Sequence, residues 1–510
     1  MFGHRSITIK GATCGFDTLL LVVITSIAGF LFGYDIGQIS GILLFDNFNK
    51  FVDGDLAMSL IVSLMSVGCL AGSLLGAYSA DWLGRRKSIA LGVLFFVAGD
   101  IVQITAVNSW IHVSSGRFVA GLGIGNLSVG VPMFQSECVP REIRGAVVTS
   151  YQLLITIGIL IGNLVCFLMS KYQNQGFAWR LVIGLGAVFS LPLGFGILLA
   201  RDPENVIVEN DIHEMREILA LERQSGTASW RECFSCRAKV PKTLYRTLLG
   251  MGIHFLQQWT GINYFFYYGP SIFYSAGINN PFITQLVLGA VNVCTTFIAV
   301  WMVDWWGRRR PLVLGALWQA ACLLVFASWG TFMAKSSEQL PGPPIFMIMS
   351  ACMFIASFAA TWGPIAWLVM GETFALRTRA KQAALATASN WLGNFMIGVL
   401  TPEAARSIDF RFGFVLASAN LIAGALVYFF LYESTLLSLE SVDIMYSIHG
   451  LYPWESRSWV PPGYVTRRER DEEHFRRMSI SAATNISSVT QEMVDMVNND
   501  VVAKPKAAAV

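Results

Sequence analysis

The sequence predicts an all-α integral membrane protein, about twelve transmembrane helices in two six-helix halves, and three observations carry that prediction. Of 510 residues, 54% are hydrophobic and only 14% charged, with a mean hydropathy of +0.54, too apolar for a soluble chain of this size. Apolar runs recur at the ~20 residues a helix needs to cross a bilayer, too long for barrel strands. The polar interruptions also repeat: Asp81-Trp-Leu-Gly84-Arg85-Arg86 and Asp304-Trp-Trp-Gly307-Arg308-Arg309 share one spacing, the mark of a duplicated unit.

Taken in order, residues 1–17 form a short polar N-terminus. Thr18–Ser40 reads as the first span and not as a cleaved signal, being too long and lacking a small-residue cleavage site. Further spans are expected near 56–80, 88–107, 111–135, 146–169 and 178–199, completing a bundle over 18–200. The segment 201–245 is mixed in charge, with Val206–Gln224 patterned like short amphipathic helices, and reads as a linker. A second bundle over 246–432 takes spans near 246–270, 282–303, 312–333, 345–371, 383–402 and 412–432. The tail, 433–510, turns polar and rich in Ser, Thr, Asn and Ala, a composition that predicts disorder over most of it.

Lys and Arg concentrate in alternate connections, which places those loops, the linker and both termini on the cytoplasmic side. Within the tail, Arg476-Arg477-Met478-Ser479 resembles a basophilic kinase site. A formal charge of +3 gives no reason to expect nucleic acid. The nine Cys are mostly single within apolar runs and read as small buried hydrophobes. Cys233-Phe-Ser-Cys236 lacks the second ligand pair of a zinc site, so no metal or cofactor is expected. Enzyme and pump signatures such as Gly-x-Ser-x-Gly, His-Glu-x-x-His and the phosphate-binding Gly-x-x-x-x-Gly-Lys loop are missing from the chain. Gly121, Gly123 and Gly125 sit inside an apolar span and read as close helix packing.

The informative polar residues lie inside the spans. Gln257, Gln258 and Asn263 put a cluster of amides at bilayer depth, where polar groups face a bundle interior or a cavity. Amides both donate and accept, which suits hydroxyls, and no Lys or Arg accompanies them to hold an anion. A neutral, polyhydroxylated solute fits. The alternative is amides gluing helices together. On a straight helix Asn263 would point roughly 140° away from Gln258, so a shared pocket requires a break, at Gly261 or at Gly269-Pro270. Asp35 in the first span is a carboxylate that needs a partner, and Arg117 in the fourth is the candidate.

Several motifs in order carry a family resemblance: Gly33-Tyr34-Asp35, the two Asp-x-x-Gly-Arg-Arg loops, Gly116-Arg117 through Glu137, Gln152-Leu153, Gln257-Gln258 through Tyr267-Tyr268, Gly363-Pro364-x-x-Trp367, Glu372 and Asn390-Trp391. Over roughly 18–445 the chain resembles the sugar porter family of the major facilitator superfamily, and its first span is most similar in wording to fungal hexose transporters. The resemblance implies a plasma-membrane hexose transporter working by alternating access. It implies a monosaccharide site lined by Gln152, Gln257, Gln258, Asn263, Asn292, Trp367, Asn390 and Trp391, with Tyr267 and Tyr268 as the extracellular gate. It also makes Asp35 and Arg117 the proton-linked pair of the family's symporters. Facilitative yeast relatives keep the same Asp, so proton symport and facilitated diffusion both stay open.

The charged loops repeat their acids as well as their bases. Glu137 stands seven residues before Arg144, as Glu372 does before Arg379. Asp81, Arg85, Arg86, Glu137 and Arg144, with Asp304, Arg308, Arg309, Glu372 and Arg379, are expected to form ion-pair networks that close the cytoplasmic side. Topology alone would explain the bases but not the acids. Where the family has Pro-Glu-Thr-Lys-Gly after the last span, this chain has Tyr432-Glu433-Ser434-Thr435-Leu436, one basic residue fewer. That weakening leaves a second reading, a sugar-sensing receptor of the same fold that transports little.

Overall fold

The computed structural model describes residues 6–9, 12–50, 52, 54–107, 109–138, 141–199, 229–235, 241–275, 281–333, 343–375, 377–437, 439–448 and 450–461. The first half contains α1 (Phe16–Ile42), α2 (Gly54–Leu83), α3 (Arg85–Ile104), α4 (Trp110–Cys138), α5 (Arg141–Met169) and α6 (Gly176–Leu199). The second contains α7 (Thr243–Trp259), α8 (Ile262–Ser275), α9 (Pro281–Trp306), α10 (Arg309–Ser328), α11 (Pro343–Ala360), α12 (Trp362–Thr373), α13 (Arg379–Ser407) and α14 (Phe412–Phe430). Among the described residues, eleven stretches are long and apolar enough to cross a bilayer. The twelfth is the pair α7–α8, whose pieces of 17 and 14 residues are each too short alone.

One feature of the N-terminus is absent from the sequence reading: β1 (Ser6–Ile9) pairs antiparallel with β2 (Ala12–Gly15), Ser6 opposite Gly15. Gly121 and Gly125 let α4 lie against α2, and Gly123 lets it lie against α3. Outward faces of α3 and α6 expose Leu94, Ile101, Val188, Leu191 and Phe195, an apolar belt suited to lipid. The halves meet along two seams, α2 against α13 and α5 against α9.

The duplicated loops have duplicated structures. Gly84 and Gly307, with φ of 81° and 85°, turn the chain into α3 and α10 in a conformation that favours glycine. Arg86 then donates from Nε to Ile197 O (3.2 Å) and from Nη2 to Leu198 O (2.9 Å), at the end of α6. Its counterpart Arg309 donates from Nη2 to Tyr428 O (2.6 Å), near the end of α14. Each basic side chain thus satisfies helix-terminal carbonyls and meets the negative end of the helix dipole.

The start of the tail departs from the expected disorder. After α14 the chain forms α15 (Leu439–Ser447) and a run of turns to 461. Tyr432, Val442, Met445 and Tyr446 cluster with Tyr245, Leu437, Leu451 and Trp459. Arg246, fully buried at the start of α7, pairs with Asp443 and lies 4.1 Å over the Tyr446 ring. Residues 462–510, with the Ser479 site, lie outside the described residues, as do most of the linker and Cys236. Cys233 ends a one-turn helix, Trp230–Cys233, and burial pushes its thiol up.

Candidate functional site

The seventh span breaks where α7 gives way to α8. Gly261 takes φ of 103°, and Thr260 and Gly261 separate the helices. The other candidate breaker, Gly269-Pro270, lies within continuous α8. A second break, which sequence reasoning missed, divides the tenth span at Thr361, where φ of −128° and ψ of −81° leave helical geometry just ahead of Pro364. Proline lacks the N–H that would continue the ladder, so nearby side chains must serve the freed backbone. Gln257 reaches the start of α12, donating from Nε2 to Trp362 O (2.8 Å) and Gly363 O (3.3 Å).

The amides form one chain across the two breaks. Asn263 Nδ2 donates to Gln258 Oε1 (2.6 Å), Gln258 Nε2 to Asn390 Oδ1 (2.9 Å), and Asn390 Nδ2 to Gln257 Oε1 (2.8 Å). All four are buried. Asn292, on α9, is buried too, and its Oδ1 has no partner among the described residues. Two indoles of the second half meet rings of the first. Trp391 lies 4.9 Å from Phe32 of α1, centroid to centroid, and its buried Nε1 is without a partner among the described residues. Trp367 meets Tyr151 of α5 edge-on at 6.3 Å. Gln152, next along α5, sets its Nε2 where a Cβ on Gly363 would come within 3.2 Å of it. Trp367 also lines a narrow gap between the halves, with Met133 and Val148 on one side and Met370 and Arg379 on the other.

In the first half, Arg117 clasps Asp35 with both terminal nitrogens, Nη1 to Oδ1 at 3.3 Å and Nη2 to Oδ2 at 3.1 Å. The side chains are 3% and 4% exposed, so the charges are desolvated together. Gln38, unremarked in the sequence, donates to Asp35 Oδ1 at 2.9 Å. Its three-residue spacing from Asp35 on a helix was the available signal.

A family model described as sugar (and other) transporter matches residues 21–446, almost the whole bundle. The chain belongs to the sugar transporter family. It is 35% identical over 94% of its length to a high-affinity fructose transporter of Schizosaccharomyces pombe, of which it covers 95%. It is 37% identical over 87% of its length to a low-affinity glucose transporter of Kluyveromyces lactis, of which it covers 84%. Among solved structures, a proton:xylose symporter, XylE, bound to 6-bromo-6-deoxy-D-glucose superposes with a TM-score of 0.72. That match covers 84% of this chain and 99% of the other, at 22% identity, and shows the major facilitator fold.

This sugar transporter draws Gln257, Gln258, Asn263 and Asn390 into one hydrogen-bonded chain, with Trp367, Trp391 and Gln152 on its border. Tyr267 and Tyr268 are both buried on α8, their rings edge-to-face at 6.5 Å, and Tyr268 Oη donates to Gly398 O (2.8 Å) on α13. At the linker end, Arg308 pairs with Glu372, Nη2 to Oε1 at 2.8 Å and Nε to Oε2 at 3.1 Å. Glu433 accepts from the backbone N–H of Arg308 (3.0 Å) and Arg309 (3.1 Å), and Ser434 Oγ donates to Glu372 Oε2 (2.6 Å). The loss of a basic residue after the last span therefore leaves the acidic anchor in place. Arg379 donates to Phe374 O from Nε and Nη2, both at 3.4 Å. The side chains of Asp81, Glu137, Arg144 and Asp304 lie outside the described residues.

Proposed function

We propose that the protein carries neutral hexoses across the plasma membrane, with both termini cytoplasmic, and that the amide chain at the two helix breaks is its sugar site. The observation that carries this reading is the chain itself: four buried amides bonded to one another, flanked by indoles, with no cation among them. Sugar hydroxyls both donate and accept, so each can replace an amide partner without leaving the other orphaned. The indoles supply apolar faces for sugar C–H groups, and the unpartnered Asn292 Oδ1 and Trp391 Nε1 add one acceptor and one donor. Tyr267 and Tyr268 serve as the extracellular gate. Arg308, Glu372 and the neighbouring repeat residues serve as the cytoplasmic one. The curated relatives named above carry fructose and glucose, which favours transport over a sensing role, and no catalytic step is assigned. Asp35 and Arg117 form the pair through which a proton would couple.

The test is uptake of labelled glucose by hexose-transport-null yeast expressing the chain, with unlabelled fructose, glucose, xylose and polyols as competitors. Saturable uptake competed by hexoses supports the reading. Surface-localised protein without uptake overturns it.

A further inference from the structure

The lipid-facing stripe of α14 does not end with the helix. Val415, Ser418, Ile422, Ala425 and Phe429 are exposed at alternating steps of three and four residues, while Leu416, Asn420, Ala423 and Val427 are buried on the opposite face. Phe429, the last of the stripe, is met edge-on by Trp454, from the run of turns beyond α15, at 6.4 Å between ring centres. Tyr452 stacks on Trp454 at 4.8 Å, 6° from parallel. These two rings are 53% and 42% exposed, so the tail lays an aromatic plate against the end of a lipid face. The turn that carries them is held from beneath. Pro453 and Ser456 are buried, Ser456 Oγ accepts from Glu433 N–H (2.8 Å) and donates to Pro453 O (2.5 Å), and Leu451 O accepts from Tyr432 Oη (2.9 Å). Two large rings held outward on a fixed turn mark an interaction surface, and their fixed placement lowers the entropy lost on contact.

The surroundings identify the partner. Tyr428, edge-to-face with Phe429 at 5.1 Å, carries the Arg309 guanidinium 4.8 Å over its ring, and Arg310 beside it is exposed. Guanidiniums avoid hydrocarbon, so at this level the acyl chains give way to headgroups. The level lies on the linker side, since Tyr245 Oη, at the start of α7, donates to Phe430 O (2.5 Å). Trp and Tyr are the residues that favour the headgroup layer, each with an apolar ring and one polar hydrogen. We propose that Tyr452 and Trp454 form an interfacial anchor, seated in the phospholipid headgroup layer on the linker side of the membrane. The anchor extends the lipid contact of α14 onto the tail. Ser456, on the same turn, holds Glu433, whose carboxylate accepts from the N–H groups of Arg308 and Arg309. Lipid contact therefore steadies the segment that fastens the loop between α9 and α10. The anchor stands whichever sugar is carried.

Bromine on a lipid acyl chain quenches a tryptophan it touches, and its position on the chain reports depth. The purified full chain is reconstituted in phosphatidylcholine vesicles brominated either near the headgroup or near the bilayer centre and compared with Trp454→Phe in the same vesicles. The difference emission isolates one of fifteen tryptophans. It is expected to be quenched more strongly by the shallow bromine than by the deep one. Stronger quenching by the deep bromine overturns the proposal, as does difference emission that neither bromine changes. In that last case quenching by aqueous acrylamide would place Trp454 in water, and protection from acrylamide would place it under a second copy of the chain or another protein. Should Trp454→Phe not fold, Tyr452→Trp makes the test alone: its added emission is expected to show the same shallow preference, and added emission indifferent to brominated lipid overturns the anchor.

Discussion

Asn263 Nδ2 donates a 2.6 Å hydrogen bond to Gln258 Oε1 across the break at Gly261, although a continuous helix would turn the two side chains to different faces. The break is thus what brings the two amides together. Ala in place of Gly261 meets both a φ of 103° and the Leu416 Cδ1 atom 3.0 Å from the new Cβ. Gly261→Ala is expected to destabilise by more than about 1 kcal/mol and to abolish uptake, read by thermal unfolding in detergent and by transport. An unchanged melting temperature with normal uptake would show that the break is not needed.

The amide chain predicts graded losses. Gln257→Ala removes the donor to Trp362 O and Gly363 O and the acceptor for Asn390. Asn292→Ala removes only the unpartnered Oδ1 and its amide. Each lost hydroxyl contact is worth about 1–3 kcal/mol, or about 5- to 150-fold in affinity. Gln257→Ala should also lower stability, whereas Asn292→Ala should weaken sugar binding alone. Equal affinities for wild type and both variants, by equilibrium binding of labelled hexose, would take these amides out of the site.

The Arg308–Glu372 pair predicts a conformational bias. Its side chains are 7% and 13% exposed, and Ser434 braces the same carboxylate, so the link is stronger than a surface ion pair. Glu372→Gln, or Arg144→Ala in the equivalent loop, should shift the population toward inward-open and lower turnover more than affinity. A cysteine placed at the linker-side mouth would then react faster with a membrane-impermeant thiol reagent in inside-out vesicles. No change in that rate would remove these residues from the gate.

Much of this was legible because a membrane limits the choices. Backbone groups must be satisfied within a span, so the twelve spans, the duplicated loops and the need for a break between Gln258 and Asn263 follow from local pattern. The break at Thr361 was equally written in Gly363-Pro364, but that motif drew notice for its indole at Trp367. Pairings between distant residues were not legible. Nothing near Arg246 announces that Asp443 and Tyr446 will bury it, and the polar composition of the tail hides the ordered turn of chain that does so.

The coupling question turns on the Asp35–Arg117 pair. Two charges this buried persist only because each neutralises the other, so removing either charge leaves the partner exposed to the full cost of desolvation, several kcal/mol. Protonating Asp35 does chemically what Asp35→Asn does genetically: it keeps the size and the hydrogen bond from Gln38 and deletes the charge that holds Arg117. A symporter would use that release, allowing the half to change conformation only when sugar and proton are both present. Asp35→Asn should then still equilibrate sugar across the membrane yet fail to accumulate it against a gradient, and wild-type accumulation should collapse with a protonophore. Counterflow and net uptake measured on the same vesicles separate these outcomes. Wild-type uptake indifferent to protonophore and to external pH would make the protein a facilitator and leave Asp35 as the structural counter-ion of Arg117.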